Sequence, residues 1–132
     1  MTPLLIDSNI VIGLLSDDVS FAPMLDEADA VLVSPIVIGE VLAGFDGSTR
    51  RGRVQMGVFR DFLSAPNLRI VPLTEKTAEV YARVFRSLKS DGTPIPIPDV
   101  WIAAQAIEHG AALVTCDAHF NAVDGLELVS HP

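Results

Sequence analysis

The 132-residue sequence predicts an α/β domain with a central parallel sheet of four to five strands, covered by helices on both faces. Three observations predict it. Short, continuous apolar runs such as "AVLVS" and "AALVT" read as strands buried on both faces, not as the alternating strands of a half-exposed sheet. Segments with helical spacing separate the runs, and such crossovers are what parallel neighbours require. A hydrophobic share of 49% supplies the core of one globular domain of this length, spanning residues 1–132.

The elements follow in order. "PLLID" is a short buried strand closing at Asp7, and "NIVIGLLS" continues at once as a helix. "FAPMLDEA" is a short second helix. "AVLVS" is the second strand, and "PIVIGEVLAGF" follows as a helix with proline in its first turn, where the missing N–H costs nothing. "STRRGRVQMGVFRDFLSA" starts on a Ser or Thr cap and spaces Val54, Val58, Phe59, Phe62 and Leu63 along one helical face. "LRIVPL" is the third strand. "TEKTAEVYARVFRSLKSDG" is capped by Thr74, aligns Ala78, Tyr81, Val84, Phe85 and Leu88, and stops at Gly92. A proline lead, "PIPIP", then delivers Asp99 as the opening residue of an apolar helix. Strand four is "AALVT", "CDAHFNAVDG" is a turn, and "LELV" is a final strand.

Composition excludes several classes. The longest apolar runs fall far short of the roughly 20 residues that cross a bilayer, and no basic region precedes the N-terminal apolar stretch, so a soluble, cytoplasmic protein without a membrane partner is expected. The single cysteine, Cys116, has no internal disulfide partner, and three scattered histidines give no zinc-binding spacing. The net charge is −8, but it is unevenly distributed. Residues 1–49 hold eight acids and no Lys or Arg, residues 50–89 hold all nine Lys and Arg against three acids, and residues 90–132 hold six acids and no Lys or Arg. The pattern fits an acidic site built from both chain ends beside a basic middle. Ordinary surface arginines on solvated helices give the same pattern.

Four acids carry the chemistry. In a parallel α/β sheet, ligands bind at the carboxyl ends of the strands. Asp7 closes strand one and Asp117 lies just past strand four. Asp99 opens a helix, and Glu40, inside the apolar "IVIGEVLAG", lies either on a narrow solvated stripe or partly buried and in need of a partner; its three- and four-residue neighbours, Ile36, Val37, Ala43 and Gly44, offer no local cation. Taken singly, Asp7 and Asp99 also read as helix caps and Asp117 as a turn residue. Gathered at one edge, carboxylates about 4 Å apart repel by about 4 kcal/mol per pair at an effective dielectric near 20. A divalent cation bound through oxygen, Mg²⁺ or Mn²⁺, is the economical counter-charge. The prolines before Asp99 would hold it in one orientation for that ion.

The ordered motifs "LLIDSN", "SPIVIGEVLAG", "PIPDVWIAAQA" and "LVTCDAHF" resemble the PIN domain, and most closely the VapC ribonuclease toxins of toxin–antitoxin pairs, from Leu4 to Val129. The resemblance implies a three-layer α/β/α PIN-like fold and a toxin-type endoribonuclease. It implies Mg²⁺- or Mn²⁺-dependent hydrolysis of single-stranded or loop RNA, leaving 5′-phosphate and 3′-hydroxyl ends. Asp7, Glu40, Asp99 and Asp117 match the acidic catalytic and metal-binding cluster. Ser8, Asn9 and Thr115 match polar positions that orient those acids. Many relatives carry a further acid where this chain has His119, a departure that puts a second metal in doubt. His119 is then either a loop histidine without a role or a substrate-facing donor. Arg50, Arg51 and Arg53, helped by Arg60 and Arg86, are the candidate RNA-phosphate contacts, against the alternative of a solvated helix start. Trp101, about 200° around the helix from Asp99, is expected to pack toward the core, and His109 to sit against the C-terminal dipole of its helix. Neither Cys116 nor Ser8 has the partner a covalent nucleophile needs. The resemblance further implies a VapB-like antitoxin that inhibits the enzyme, and a homodimer formed through the apolar helices of the first half. The rival reading is a catalytically weak PIN-like module that binds RNA or protein without cutting.

Overall fold

The computed structural model describes residues 2–129. Five parallel strands form one sheet: β1 (Leu4–Ile6), β2 (Val31–Val33), β3 (Leu68–Ile70), β4 (Ala112–Val114) and β5 (Leu128–Val129), in the order β3-β2-β1-β4-β5. β1 pairs with β2 on one side and β4 on the other, with Leu5 opposite both Leu32 and Leu113. The six α-helices among the described residues are α1 (Ser8–Leu15), α2 (Ala22–Glu27), α3 (Pro35–Ala43), α4 (Arg50–Leu63), α5 (Glu75–Asp91) and α6 (Ile97–Glu108), and a 3₁₀ turn spans Ala118–Ala122. None is long and apolar enough to cross a membrane. The parallel α/β architecture predicted from the apolar runs is therefore the one observed.

The central strands are buried because both faces are covered. Leu5, Ile6, Val33, Leu113 and Val114 are fully buried and meet Ile102, Ala103 and Ala106 of α6, Val37 and Val41 of α3, and Phe59 and Phe120. The strands are shorter than their apolar runs. "LRIVPL" pairs only over Leu68–Ile70, with Arg69 and Ile70 exposed at the sheet edge. Pro72 has no N–H to extend the ladder, although the Val71 N–H still donates to the Val33 carbonyl at 3.0 Å. The final "LELV" is reduced to Leu128–Val129, and the expected turn at 116–125 winds into the 3₁₀ helix because the Asp117 side chain caps it.

Capping reads well from sequence. Thr49 accepts from the Gly52 N–H and starts α4. Thr74 and Thr77 form a reciprocal capping box at the start of α5, which ends at Gly92 in the left-handed conformation. Two helical faces differ from expectation. In α4, Val54 and Val58 are exposed while Phe59 is buried. In α5 the buried stripe is Thr77, Val80, Val84 and Leu88, leaving Ala78 and Phe85 exposed. α5 packs on α6, and α4 on α1 and β3, so an apolar face by spacing is wider than the face that finds a partner. Trp101 packs as expected, stacking on Tyr81 across the α5–α6 contact with ring centroids 4.1 Å apart.

Candidate active site

Local chain geometry brings the acids to one edge. β1 is followed by β2 and β3 on one side, whereas β4 returns to its other side, so the strand order reverses between β1 and β4. A crevice opens at the carboxyl ends of strands at such a reversal. Asp7 stands directly after β1, its N–H donating to the Val114 carbonyl at the end of β4, and Asp117 stands three residues beyond Val114. Glu40 comes from α3, and Asp99 from the first turn of α6.

One boundary changes here. α6 starts at Ile97 with Pro98 in its first turn, so Asp99 is its third residue and neither its opening residue nor its cap. The proline does not delay the helix because first-turn N–H groups are unpaired in any helix. Asp7, by contrast, does cap α1.

Asp7 is 4% exposed and is held by three donors. Its Oδ1 accepts from the Ser8 N–H at 2.8 Å, and its Oδ2 accepts from the Thr115 hydroxyl at 2.8 Å and from Asn9 Nδ2 at 3.3 Å. Thr115 in turn accepts from the Asp117 N–H at 3.0 Å, which ties the ends of β1 and β4 together, and Asn9 Oδ1 accepts from the Cys116 N–H at 3.3 Å. Asn9 and Thr115 thus touch the acids through their side chains, Ser8 through its backbone. Burial pushes the Asp7 carboxyl above its usual value; the Thr115 and Ser8 donors pull it back, and the Asp117 charge adds to the rise.

The other acids feel the same crowding. Asp99 is raised by burial first and by Asp7 and Asp117, with His119 opposing. Glu40, although exposed as a residue, has a carboxyl raised by partial desolvation and then by Asp7 and Asp99. The four acids therefore occupy one electrostatic neighbourhood. Among the described residues no Lys or Arg pairs with any of them; the one side chain that does is His119, whose Nδ1 lies 3.0 Å from Asp117 Oδ1 and 3.3 Å from Asp99 Oδ2. Donor atoms of Asp99, Asp117 and His119 all fall within 4.8 Å of one another. The donor set, hard carboxylate oxygens with one imidazole and no local cation, fits a divalent ion. His119 is the residue whose place sequence reasoning left open. Its backbone N–H donates to Asp117 Oδ1 at 2.9 Å, and that short turn returns the ring over the acids. The spacing "DAH" after a strand was the available signal.

The arginines lie apart from this centre. Arg50 and Arg51 line a cleft with Leu15, Ser16 and Asp17, at the far end of α1 from Asp7 and about 12 Å along the helix. Arg53 Nη1 donates to the Gly47 carbonyl at 3.3 Å, and Arg60 and Arg86 are exposed on α4 and α5. Cys116 is exposed, without a basic neighbour in its hydrogen bonds.

The family model described as PIN domain matches residues 4–126. The chain is 31% identical over 129 residues to a protein named Ribonuclease VapC1 from Rickettsia felis, covering 96% of this chain and 95% of that one. It is 27% identical over 133 residues to Ribonuclease VapC from Rickettsia bellii, covering 98% and 96%. In fold it matches VapBC2 from Rickettsia felis bound to a DNA fragment from their promoter, with a TM-score of 0.87 at 22% identity over 99% of this chain and all of that one.

Proposed function

The chain belongs to the PIN domain family, and from that premise we propose that it is a VapC-like toxin endoribonuclease, hydrolysing single-stranded or loop RNA with Mg²⁺ or Mn²⁺ at Asp7, Glu40, Asp99 and Asp117. The observation that carries the reading is the convergence of four acids, from four separate segments, at the strand-order reversal, with no Lys or Arg among the described residues to neutralise them. A fold selected for stability alone would not assemble that repulsion, whereas an ion-binding centre requires it.

A divalent ion, when bound, supplies Lewis-acid polarisation of the scissile phosphate and a lowered pKa for water. The residues of the chain do the rest. Asp7, fixed by Ser8, Asn9 and Thr115, is a preoriented ligand. Asp99 and Asp117 face each other across the His119 ring. Glu40 is the acid with no hydrogen-bond partner among the described residues, and its raised carboxyl is suited to accept a proton from the attacking water. Arg50 and Arg51 contact phosphates a few nucleotides from the cut, the remote cleft giving register to the strand.

Two partners accompany this reading. The likeness to VapC proteins supports a VapB-like antitoxin that offers a basic side chain to the acidic pocket. Exposed Ile12, Leu42, Val54 and Val58 on α1, α3 and α4 support a homodimer through that face.

The test is cleavage of end-labelled single-stranded RNA with Mn²⁺, repeated with EDTA and with Asp7→Asn. Loss of cutting under both changes, and 5′-phosphate product ends, support the proposal. RNA binding without cutting at any metal concentration supports the non-catalytic module instead.

A further inference from the structure

We propose that His119 is itself a metal ligand, completing with Asp99 and Asp117 a two-oxygen, one-nitrogen face that makes the ion site of this chain prefer a first-row transition ion over Mg²⁺. The inference rests on the ion-binding reading above and fixes what that reading leaves open, the identity of the ion.

The geometry points to it. Two ligand atoms about 2.1 Å from one ion lie about 3.0 Å apart at octahedral angles and about 3.4 Å apart at tetrahedral angles. The Nδ1 of His119 is 3.0 Å from Asp117 Oδ1 and 3.3 Å from Asp99 Oδ2, within that interval on both sides. Asp117 Oδ1 accepts only the His119 backbone N–H besides the ring and so keeps a second lone pair toward the ion, while Asp117 Oδ2 and Asp99 Oδ1 receive no hydrogen-bond donor among the described residues. Asp117 caps the 3₁₀ turn that carries His119, and Phe120, the next residue, is fully buried. The ring therefore hangs from an anchored turn and needs little ordering to bind.

The chemistry then decides selectivity. Mg²⁺ takes oxygen ligands and gains little from imidazole, while first-row transition ions bind nitrogen well. A carboxylate at position 119 would have left an all-oxygen pocket suited to Mg²⁺. With imidazole there, affinity for Mn²⁺ rises relative to Mg²⁺.

Metal-free full-length protein is titrated with Mn²⁺, free ion being followed by its electron paramagnetic resonance signal, with Mg²⁺ as competitor. Pulsed resonance then looks for ¹⁴N modulation from imidazole bound directly to Mn²⁺. The expected result is ¹⁴N modulation in the native protein that disappears in His119→Ala, with a loss of about tenfold or more in Mn²⁺ affinity and a much smaller loss for Mg²⁺. His119→Asp is expected to restore tight binding while erasing most of the preference for Mn²⁺. Bound Mn²⁺ without ¹⁴N modulation in the native protein, or equal losses for both ions in His119→Ala, overturns the inference. Binding that then still depends on Asp7 leaves the ion-binding reading intact. Absence of any Mn²⁺ binding overturns both.

Discussion

Replacing Thr115 with valine removes one oxygen from a 2% exposed side chain and leaves its shape. That oxygen donates to Asp7 Oδ2 at 2.8 Å and accepts from the Asp117 N–H at 3.0 Å. A hydrogen bond to a charged group contributes about 1.5–3 kcal/mol and a neutral one about 0.5–1.5 kcal/mol, so the cost of Thr115→Val depends on whether Asp7 is ionised. The Asp7 carboxyl lies above its ordinary value of 3.8 in the folded protein, so the folded state binds more protons than the unfolded one. Stability therefore falls as pH rises from 3.8 through the folded value. Valine raises the folded value further, because the Thr115 bond was among the effects lowering it. The variant then loses stability over a longer pH range. In EDTA, urea unfolding is expected to give a loss of about 2–3 kcal/mol at pH 8, about 6–12 °C in Tm for a chain of this size, shrinking to about 1 kcal/mol near pH 4. Thr115→Ser, which keeps the hydroxyl, is expected to keep most of the difference small. A Thr115→Val loss of equal size at both pH values, or serine behaving as valine does, would refute the claim that this hydroxyl acts on the Asp7 charge.

The other predictions probe different parts of the chain. Glu40→Gln removes a carboxylate raised by desolvation and by Asp7 and Asp99, so in EDTA at pH 7 it is expected to stabilise by a few tenths to about 1 kcal/mol after solvent screening, while RNA cleavage falls about 100-fold or more; thermal melts and a cleavage time course check the two halves. Arg50→Ala with Arg51→Ala should raise KM for RNA and leave kcat nearly unchanged. The slope of log affinity against log salt should become shallower by about 1.4, the loss of two single-strand phosphate contacts. Gly52→Ala should cost about 1–3 kcal/mol, read by thermal unfolding, because an added Cβ would overlap the Asp46 backbone carbonyl.

Element order was legible because each device that sets it is local. Pro35 starts α3, Thr49 and Thr74 cap α4 and α5, and Gly92 ends α5, each from side-chain chemistry within four residues. Strand ends were less legible because pairing depends on the neighbouring strand. Val71 reads like part of β3 and still donates to the Val33 carbonyl, yet the ladder closes at Ile70 since Pro72 has no donor and β2 ends at Val33. The apolar spacing of α4 misplaced Val54 and Val58 for a related reason: periodicity finds a stripe but not its cover, and the cover here lies over Gly52 and Phe59 instead.

The acids were legible for a different reason, since carboxylates without local cations in apolar surroundings are costly unless something distant compensates. The same cost gives any side chain that arrives near them a partner to meet, and His119 is one. Position alone left His119 as a loop histidine without a role or a substrate-facing donor. The fold gives it two carboxylates, because a cap on Asp117 turns the chain within two residues and a buried Phe120 fixes the turn. A loop histidine without function would be free to point into solvent, where about half of its surface already lies. Its Nδ1 instead meets the carboxylates of two segments 18 residues apart in sequence, Asp99 and Asp117. Geometry of that kind is specified by tertiary placement of α6 against the β4 exit, which no window along the sequence contains.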